Sequence, residues 1–402
     1  MAFFDATSFD SKKPTNYTLP RCGACGLSSS CSPSKIPVSG NGQKGILLVG
    51  DFPREHELQQ RLHIVGGRYQ LLREVLGENG IDLKRDCWRT NALICRTPED
   101  RQPTTKEVQY CRPNVQKLLK ELKPKVIIPM GQAAVESIVA PIWKDSVDSV
   151  DKWVGWRIPS QDYNAWITPV YDIDRVIDPA DERESAVTKL VWRRHLDRAC
   201  KLDDYPWDKV PDYKKEVKVL YDPKQVEQWI NDKIERGGGV SFDYECNRLK
   251  PDHAKAEIVS CSVCWKGVDT IAYPFVGEAI AATRRLLASD LPKIGWNAKF
   301  EERWTRRILG IPVNNWVWCG MLSSHHLDSR EGITSAKFRG LVRLGVSDWS
   351  SSIKPYLEDA GNGFNRIHEA DMHKLLVYNG IDSLVEYKVA CIQRREMQGE
   401  TV

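Results

Sequence analysis

Gly239-Val240-Ser241-Phe242-Asp243-Tyr244-Glu245 decides how the second half of this chain is read. A glycine-rich break feeds a short apolar run into two carboxylates one residue apart, and on a strand both would point to the same face. Like charges held that close repel strongly unless a cation sits between them. Carboxylate oxygens are hard ligands, so the cation expected there is Mg²⁺ or Mn²⁺ rather than zinc. An isolated Asp-x-Glu is more often a solvated strand edge. The residues around it change that balance.

Working outward, a helical pattern from about Lys224 to Arg236 ends at Gly237-Gly238-Gly239. Three strands are then predicted, Val240 to Glu245, Ile258 to Trp265 and Thr270 to Phe275, with Lys266-Gly267 turning between the last two. Helical patterns dominate after Gly277. Lys293-Ile-Gly-Trp296 reads as one more strand, and Asn297 starts the helix after it. Phe300, Trp304 and Ile308 recur every four residues as that helix's expected buried stripe, leaving Asn297 and Glu301 on an adjacent face. Tyr378 and Asp382 stand four apart above Val385 and Val389, so one helix aims a phenol and a carboxylate at the same point. Singly, Glu301 reads as a solvated acid and Tyr378 as a core aromatic.

The remaining composition sets bounds. A chain of 402 residues exceeds one ordinary core, and 41% apolar residues with 14 Trp can build two or three. A net charge of +4 permits a nucleic-acid partner without demanding one. No run of about 18 apolar residues offers a membrane span. The first twenty residues lack the basic-then-apolar order of a signal peptide, which places the protein in a reducing cytoplasm. There its 12 Cys residues read as thiols or metal ligands.

In the first half, Gly45-Ile-Leu-Leu-Val-Gly50 reads as a strand buried on both faces. A helix (Arg68 to Leu76), a strand (Trp88 to Ile94), a helix (Thr104 to Leu122), a strand (Lys125 to Pro129) and a helix (Gly131 to Val139) follow. This alternation predicts a parallel sheet covered by helices, with ligands at the carboxyl ends of its strands. That rule singles out Asp51 and Asn91. Cys22 and Cys25 have chelating spacing, and Cys95 and Cys111 lie sixteen positions apart; four soft thiolates suit an iron–sulfur cluster or zinc, while Cys31 and Cys87 are spare. The composition between Cys200 and Lys218 reads as a linker, giving domains at 1–200 and 218–402 around a linker at 201–217.

Residues from about 20 to 200 resemble the iron–sulfur uracil-DNA glycosylases of the family 4 type, on the Cys22/Cys25 and Cys95/Cys111 spacings, Gly50-Asp51-Phe52-Pro53, Val65-Gly66 before Gln70-Leu71-Leu72, and Asn91 ahead of Cys95-Arg96. The resemblance implies a [4Fe–4S] cluster on the four cysteines and a base-reading role for Asn91. Several positions depart from the pattern. The first motif's acid is shortened to Asp51, Arg54 replaces a glycine, and Ile64 stands where an aromatic would stack on the base. Tyr171-Asp172-Ile173-Asp174 replaces the His-Pro-Ser-like motif. The first half is therefore expected to be a glycosylase-like DNA-binding module, with a working glycosylase as the alternative.

Residues from about 215 to 395 resemble 3′–5′ exonucleases with an acidic quartet, and especially the proofreading domain of phage family A DNA polymerases. Phe242-Asp243-Tyr-Glu245, Asn297-x-x-Phe300-Glu301 and Tyr378-x-x-x-Asp382 correspond to its three motifs, with Glu301 one methylene longer than the usual Asp. The expected architecture is α/β throughout, a glycosylase-like αβα sandwich followed by an RNase H-like mixed-sheet domain. Asp243, Glu245 and Asp382 are implied to hold two Mg²⁺ or Mn²⁺ ions, Glu301 to act through a water and Tyr378 to orient the attacking water. The implied protein trims single-stranded or frayed 3′ DNA ends beside a separate DNA polymerase in the cytoplasm of a phage's host. An excision enzyme that is both glycosylase and nuclease, and a non-catalytic replisome subunit, are the alternatives. His325 and His326 are expected to be structural, because adjacent residues do not face one another on a helix.

Overall fold

A computed structural model describes residues 22–30, 36–144, 146–178 and 182–400. The chain divides into two compact units between Val210 and Pro211.

In the first unit, β1 (Ile46–Gly50) is buried at every position. It pairs in parallel with β2 (Cys87–Asn91) on one side and β3 (Val126–Pro129) on the other. The antiparallel β4 (Ile158–Ser160) and β5 (Ala165–Ile167) complete the order β2-β1-β3-β5-β4. Chain direction across the sheet reverses at β1, so the end of β1 is the switch point where such sheets place ligands. Helices α1 (Gln70–Glu78), α2 (Thr105–Leu122), α3 (Gln132–Trp143) and α4 (Glu182–Cys200) lie between and after these strands. The start of α2 is fixed by a reciprocal cap, in which Thr104 Oγ1 accepts from Glu107 N and Glu107 Oε2 accepts from Thr104 N. The second strand is shorter than its sequence pattern suggests, because past Asn91 the backbone amides of Ala92 and Leu93 turn to the Gly50 and Asp51 carbonyls.

The stretch read as a linker is folded over much of its length. Tyr205 donates to the Lys123 carbonyl at 3.1 Å, and the Trp207 carbonyl accepts from Asn164 at 3.1 Å. Farther on, β6 (Val217–Val219) belongs to the sheet of the second unit.

That second sheet runs β11-β10-β7-β8-β9-β6. Its members are β7 (Val240–Cys246), β8 (Ile258–Trp265), β9 (Asp269–Pro274), β10 (Lys293–Gly295) and β11 (Trp316–Cys319). Only β8 runs against the others. A mixed sheet in which the second of the first three central strands is reversed and two parallel strands extend the other edge is the RNase H-like arrangement. Lys266 and Gly267, both at positive φ, turn β8 into β9. Helices α5 (Pro223–Arg236), α6 (Glu278–Ala288), α7 (Ala298–Leu309), α8 (Ala336–Leu344) and α9 (Met372–Met397) surround it.

The position of α9 follows from small side chains beneath it. Ser241 donates to the Ser383 carbonyl at 2.6 Å and Ser262 to the Asn379 carbonyl at 2.7 Å. Ser260 donates to Asn379 Oδ1 at 3.1 Å. Each such bond contributes about 1 kcal/mol, and hydroxyls in place of larger side chains let the helix backbone come close. Gly380 is needed for the same reason, since a Cβ there would stand 2.3 Å from Val217. The other face of β7 sends Phe242, Tyr244 and Cys246 into an apolar cluster with Trp304 and Leu309.

Candidate functional site: an acidic centre in the second unit and a charge-paired pocket in the first

Alternation along β7 puts Asp243 and Glu245 on the α9 side, and the close seat of α9 carries Asp382 to them. One carboxylate oxygen from each of Asp243, Glu245 and Asp382 lies within 4.8 Å of the others. Protein donors near them are few. Asn379 Nδ2 donates to Asp243 Oδ2 at 2.7 Å, and the Trp349 indole donates to Asp382 Oδ1 at 3.0 Å. Lys337 lowers Glu245 and Asp382 electrostatically from α8 and lies 5.4 Å from the Tyr378 ring centre.

Burial, then mutual repulsion, drives the Asp243 and Glu245 carboxyls well above their ordinary range. Burial also lifts Asp382 to about 6, against the pull of Lys337, Trp349 and Tyr378. Tyr378 is buried beside Asp382, and its phenol is pushed far up by burial and by the neighbouring carboxylates, so it stays protonated. A group of carboxylates that cannot all ionise without help is what a divalent cation site looks like without its cations. Donor type and spacing therefore fit hard cations.

Glu301 lies outside the three-residue cluster but raises Asp243 and Glu245 electrostatically. It is 3% exposed, its Oε2 has no hydrogen-bond partner among the described residues, and burial lifts it to about 8. The stripe predicted for α7 is corrected here. Ile308 is exposed, and Glu301, Trp304, Thr305 and Leu309 form the buried face. At 3.6 residues per turn, a spacing of four drifts around the helix, and the face settles on 301, 304, 305 and 309. Asn297 occupies the N-cap position of α7, yet its side chain makes no capping bond. Asn379, Trp349 and Lys337 escaped the sequence reading. Asn379 sits between two motif residues, but Trp349 and Lys337 carry no local signal.

The first unit treats its charges differently. Asp51, just past β1, accepts from the Ala134 amide at 2.8 Å and is held by the first turn of α3. A Cβ on Gly131 would meet its Oδ2 at 2.5 Å, so glycine is required for this seat. Burial lifts Asp51 to about 8, with Asp172 adding to the rise. The Asn91 amide donates to His63 Nδ1 at 3.0 Å, and its Oδ1 crowds Gly50. His63 in turn reaches the Ile36 carbonyl at 3.2 Å, and burial depresses it to about 4, so it is neutral. Ile64 is fully buried at φ +52, a conformation that β-branched residues avoid.

Two of the departures from the glycosylase pattern, Arg54 and the segment holding Asp174, meet in space. Arg54 pairs with Asp174 at 2.7 Å and with Asp100 at 3.6 Å. Arg68 pairs with Asp174 and, at 3.9 Å, with Asp172. A cleft of about 290 Å³ beside these pairs is lined by Arg54, His56, Glu57, Val65, Gly66, Gly67 and Arg68.

Cys25, Cys95 and Cys111 line one small cavity of about 10 Å³ together with Leu27, Leu93, Ile94, Glu107 and Tyr110. Cys111 Sγ accepts from the Ile94 amide at 3.3 Å and from Asn114 at 3.5 Å. Both are contacts of the kind that support a metal-bound thiolate. The side chain of Cys22, and Cys31 entirely, lie outside the described residues. Among the described residues no helix is long and apolar enough to cross a membrane.

Residues 37–177 match the family model of the uracil DNA glycosylase superfamily, and residues 217–350 match that of the 3′-5′ exonuclease of DNA polymerase A type. The chain thus joins a domain similar to uracil-DNA glycosylases to one similar to 3′-5′ exonucleases. The type-4 uracil-DNA glycosylase of Archaeoglobus fulgidus is 32% identical over 117 residues, 29% of this chain and 58% of that protein. The DNA polymerase of Bacillus phage SP01 is 23% identical over 362 residues, 81% of this chain and 38% of that protein. The chain therefore spans less than two thirds of each of these relatives. Escherichia coli RNase D overlaps with a TM-score of 0.36 at 8% identity, covering 46% of this chain and 45% of that one, too loosely to bear on substrate or mechanism.

Proposed function

We propose that this protein is a metal-dependent 3′–5′ exodeoxyribonuclease of the proofreading type, in which Asp243, Glu245 and Asp382 hold two Mg²⁺ or Mn²⁺ ions. The observation that carries the reading is the approach of those three carboxylates to within 4.8 Å of one another, with so few protein donors around them. Bound there, the cations would supply charge for the scissile phosphate and a more acidic water. The chain's own residues do the rest. Asn379 fixes the Asp243 carboxylate, and Trp349 fixes that of Asp382. The protonated Tyr378 holds the attacking water by a hydrogen bond. Glu301, buried but outside the cluster, acts through a water, a role that tolerates its extra methylene.

In this reading the glycosylase-like unit grips DNA and does not excise bases. Its support is that Asp51 is engaged by the start of α3 and that Asp172 and Asp174 are drawn to Arg54 and Arg68. A [4Fe–4S] cluster on Cys22, Cys25, Cys95 and Cys111 would hold the Cys22–Cys25 turn against α2, and three of those thiols share a cavity. Similarity to a phage DNA polymerase over most of the chain favours work on primer ends beside a polymerase in phage replication, in the host cytoplasm.

A 5′-labelled single strand tests the nuclease reading. Stepwise shortening from the 3′ end with Mg²⁺, absent in EDTA and in Asp382→Asn, is expected; an intact strand overturns it. A duplex with one uracil, incubated in EDTA and then treated with alkali, is expected to remain whole. Breakage at the uracil would instead favour an excision enzyme. A bound cluster predicts brown protein with about four irons per chain, and a zinc site predicts colourless protein.

A further inference from the structure

Glu386 is a fifth acid at the same centre, and none of the three exonuclease motifs includes it. It lies one turn beyond Asp382 on α9, 2% exposed, with its Oε2 lacking a hydrogen-bond partner among the described residues. Its carboxylate is beside the Trp296 backbone amide and feels Asp243, Glu301 and Asp382, in that order. A buried carboxyl oxygen without a donor is destabilising. Nearby, Glu301 Oε2 is also buried and unpartnered. Two such oxygens on different helices, both within electrostatic reach of Asp243, stand close to the three clustered carboxylates.

We propose that Glu386 is a positioning residue of the metal centre, which with Glu301 holds the water shell of the cation on the inner side of Asp243. The inference rests on the metal-site reading above. A water held between the two glutamates would find acceptors in both Glu301 Oε2 and Glu386 Oε2. Positions i and i+4 on one helix share a face, so Asp382 and Glu386 lie on the same side of α9.

The test is titration of Mn²⁺ into metal-free full-length protein, followed by the electron spin resonance of the unbound ion, for wild type, Asp243→Asn, Glu386→Gln and Glu386→Met. Both substitutions at 386 keep the side chain's size, and melting in EDTA reports whether each folds. Wild type is expected to bind two ions, and either Glu386 variant to bind the weaker one about 10- to 100-fold less tightly, as for other groups behind a ligand shell. Folded Glu386 variants with wild-type isotherms, alongside an Asp243→Asn that loses binding, overturn the role of Glu386 alone. Wild-type binding by Asp243→Asn overturns the metal site itself.

Discussion

The two units each gather acids near a central strand, and they differ in what faces those acids. In the first, Asp51 is held by the amide-rich start of α3, and Asp172 and Asp174 face Arg54 and Arg68. In the second, Asp243, Glu245, Asp382, Glu301 and Glu386 face one another, with the Asn379 amide, the Trp349 indole, the Tyr378 hydroxyl, the Trp296 backbone amide and one nearby lysine against them. Ion-paired carboxylates have less call on an outside cation than a cluster of one sign. In the proposed reading, the contrast separates a pocket whose outer acids are ion-paired from one that takes cations.

The sharpest break of that contrast is between Asp243→Ala and Asp51→Ala. Loss of the first is expected to lower DNA digestion by about 10³-fold or more, equivalent to roughly 4 kcal/mol, and loss of the second to leave it unchanged. Digestion rates under single-turnover conditions measure both. Tyr378→Phe, which removes only the hydroxyl, is expected to slow cleavage about 100-fold at unaltered Mn²⁺ affinity.

Stability extends the comparison. Mn²⁺ at about a hundred times its dissociation constant should stabilise the second unit by about 3 kcal/mol while leaving the first unmoved. Hydrogen exchange with and without the ion would resolve the two. His63 gives the first unit its own pH signature. Its pKa falls from an ordinary 6.5 to about 4, so its contribution is fully present above pH 6.5 and is lost as pH falls through 4, up to about 3 kcal/mol. Denaturant unfolding of wild type and His63→Gln between pH 7 and 4 should show the difference shrinking as pH drops. The smallest effect is expected from Arg54→Ala, about 1 kcal/mol or less by the same measurement, because its partner Asp174 is 42% exposed.

What the sequence revealed follows the periodicity of each element. Asp243 and Glu245 were legible because a strand's period of two is short enough to recognise in seven residues, and Tyr378 with Asp382 because α9 is long. Strands of three or four residues, such as Ile158–Ser160, Ala165–Ile167 and Trp316–Cys319, carry too few positions to show a period. The seat of α9 depended on Ser241, Ser260, Ser262 and Gly380, whose meaning is only that they are small where another backbone arrives. Arg54 and Asp174 looked like two separate losses from the glycosylase pattern. They lie 120 positions apart and make one ion pair, which no local reading could join. Ile308 was misplaced for the opposite reason, because a strict spacing of four was followed one turn too far.

Anomalous diffraction from a crystal soaked in Mn²⁺ bears most directly on the acidic centre. Two peaks about 3.5–4 Å apart among Asp243, Glu245 and Asp382 are predicted. A map with no peak in contact with those three side chains, in crystals that bind Mn²⁺ elsewhere, would contradict the account.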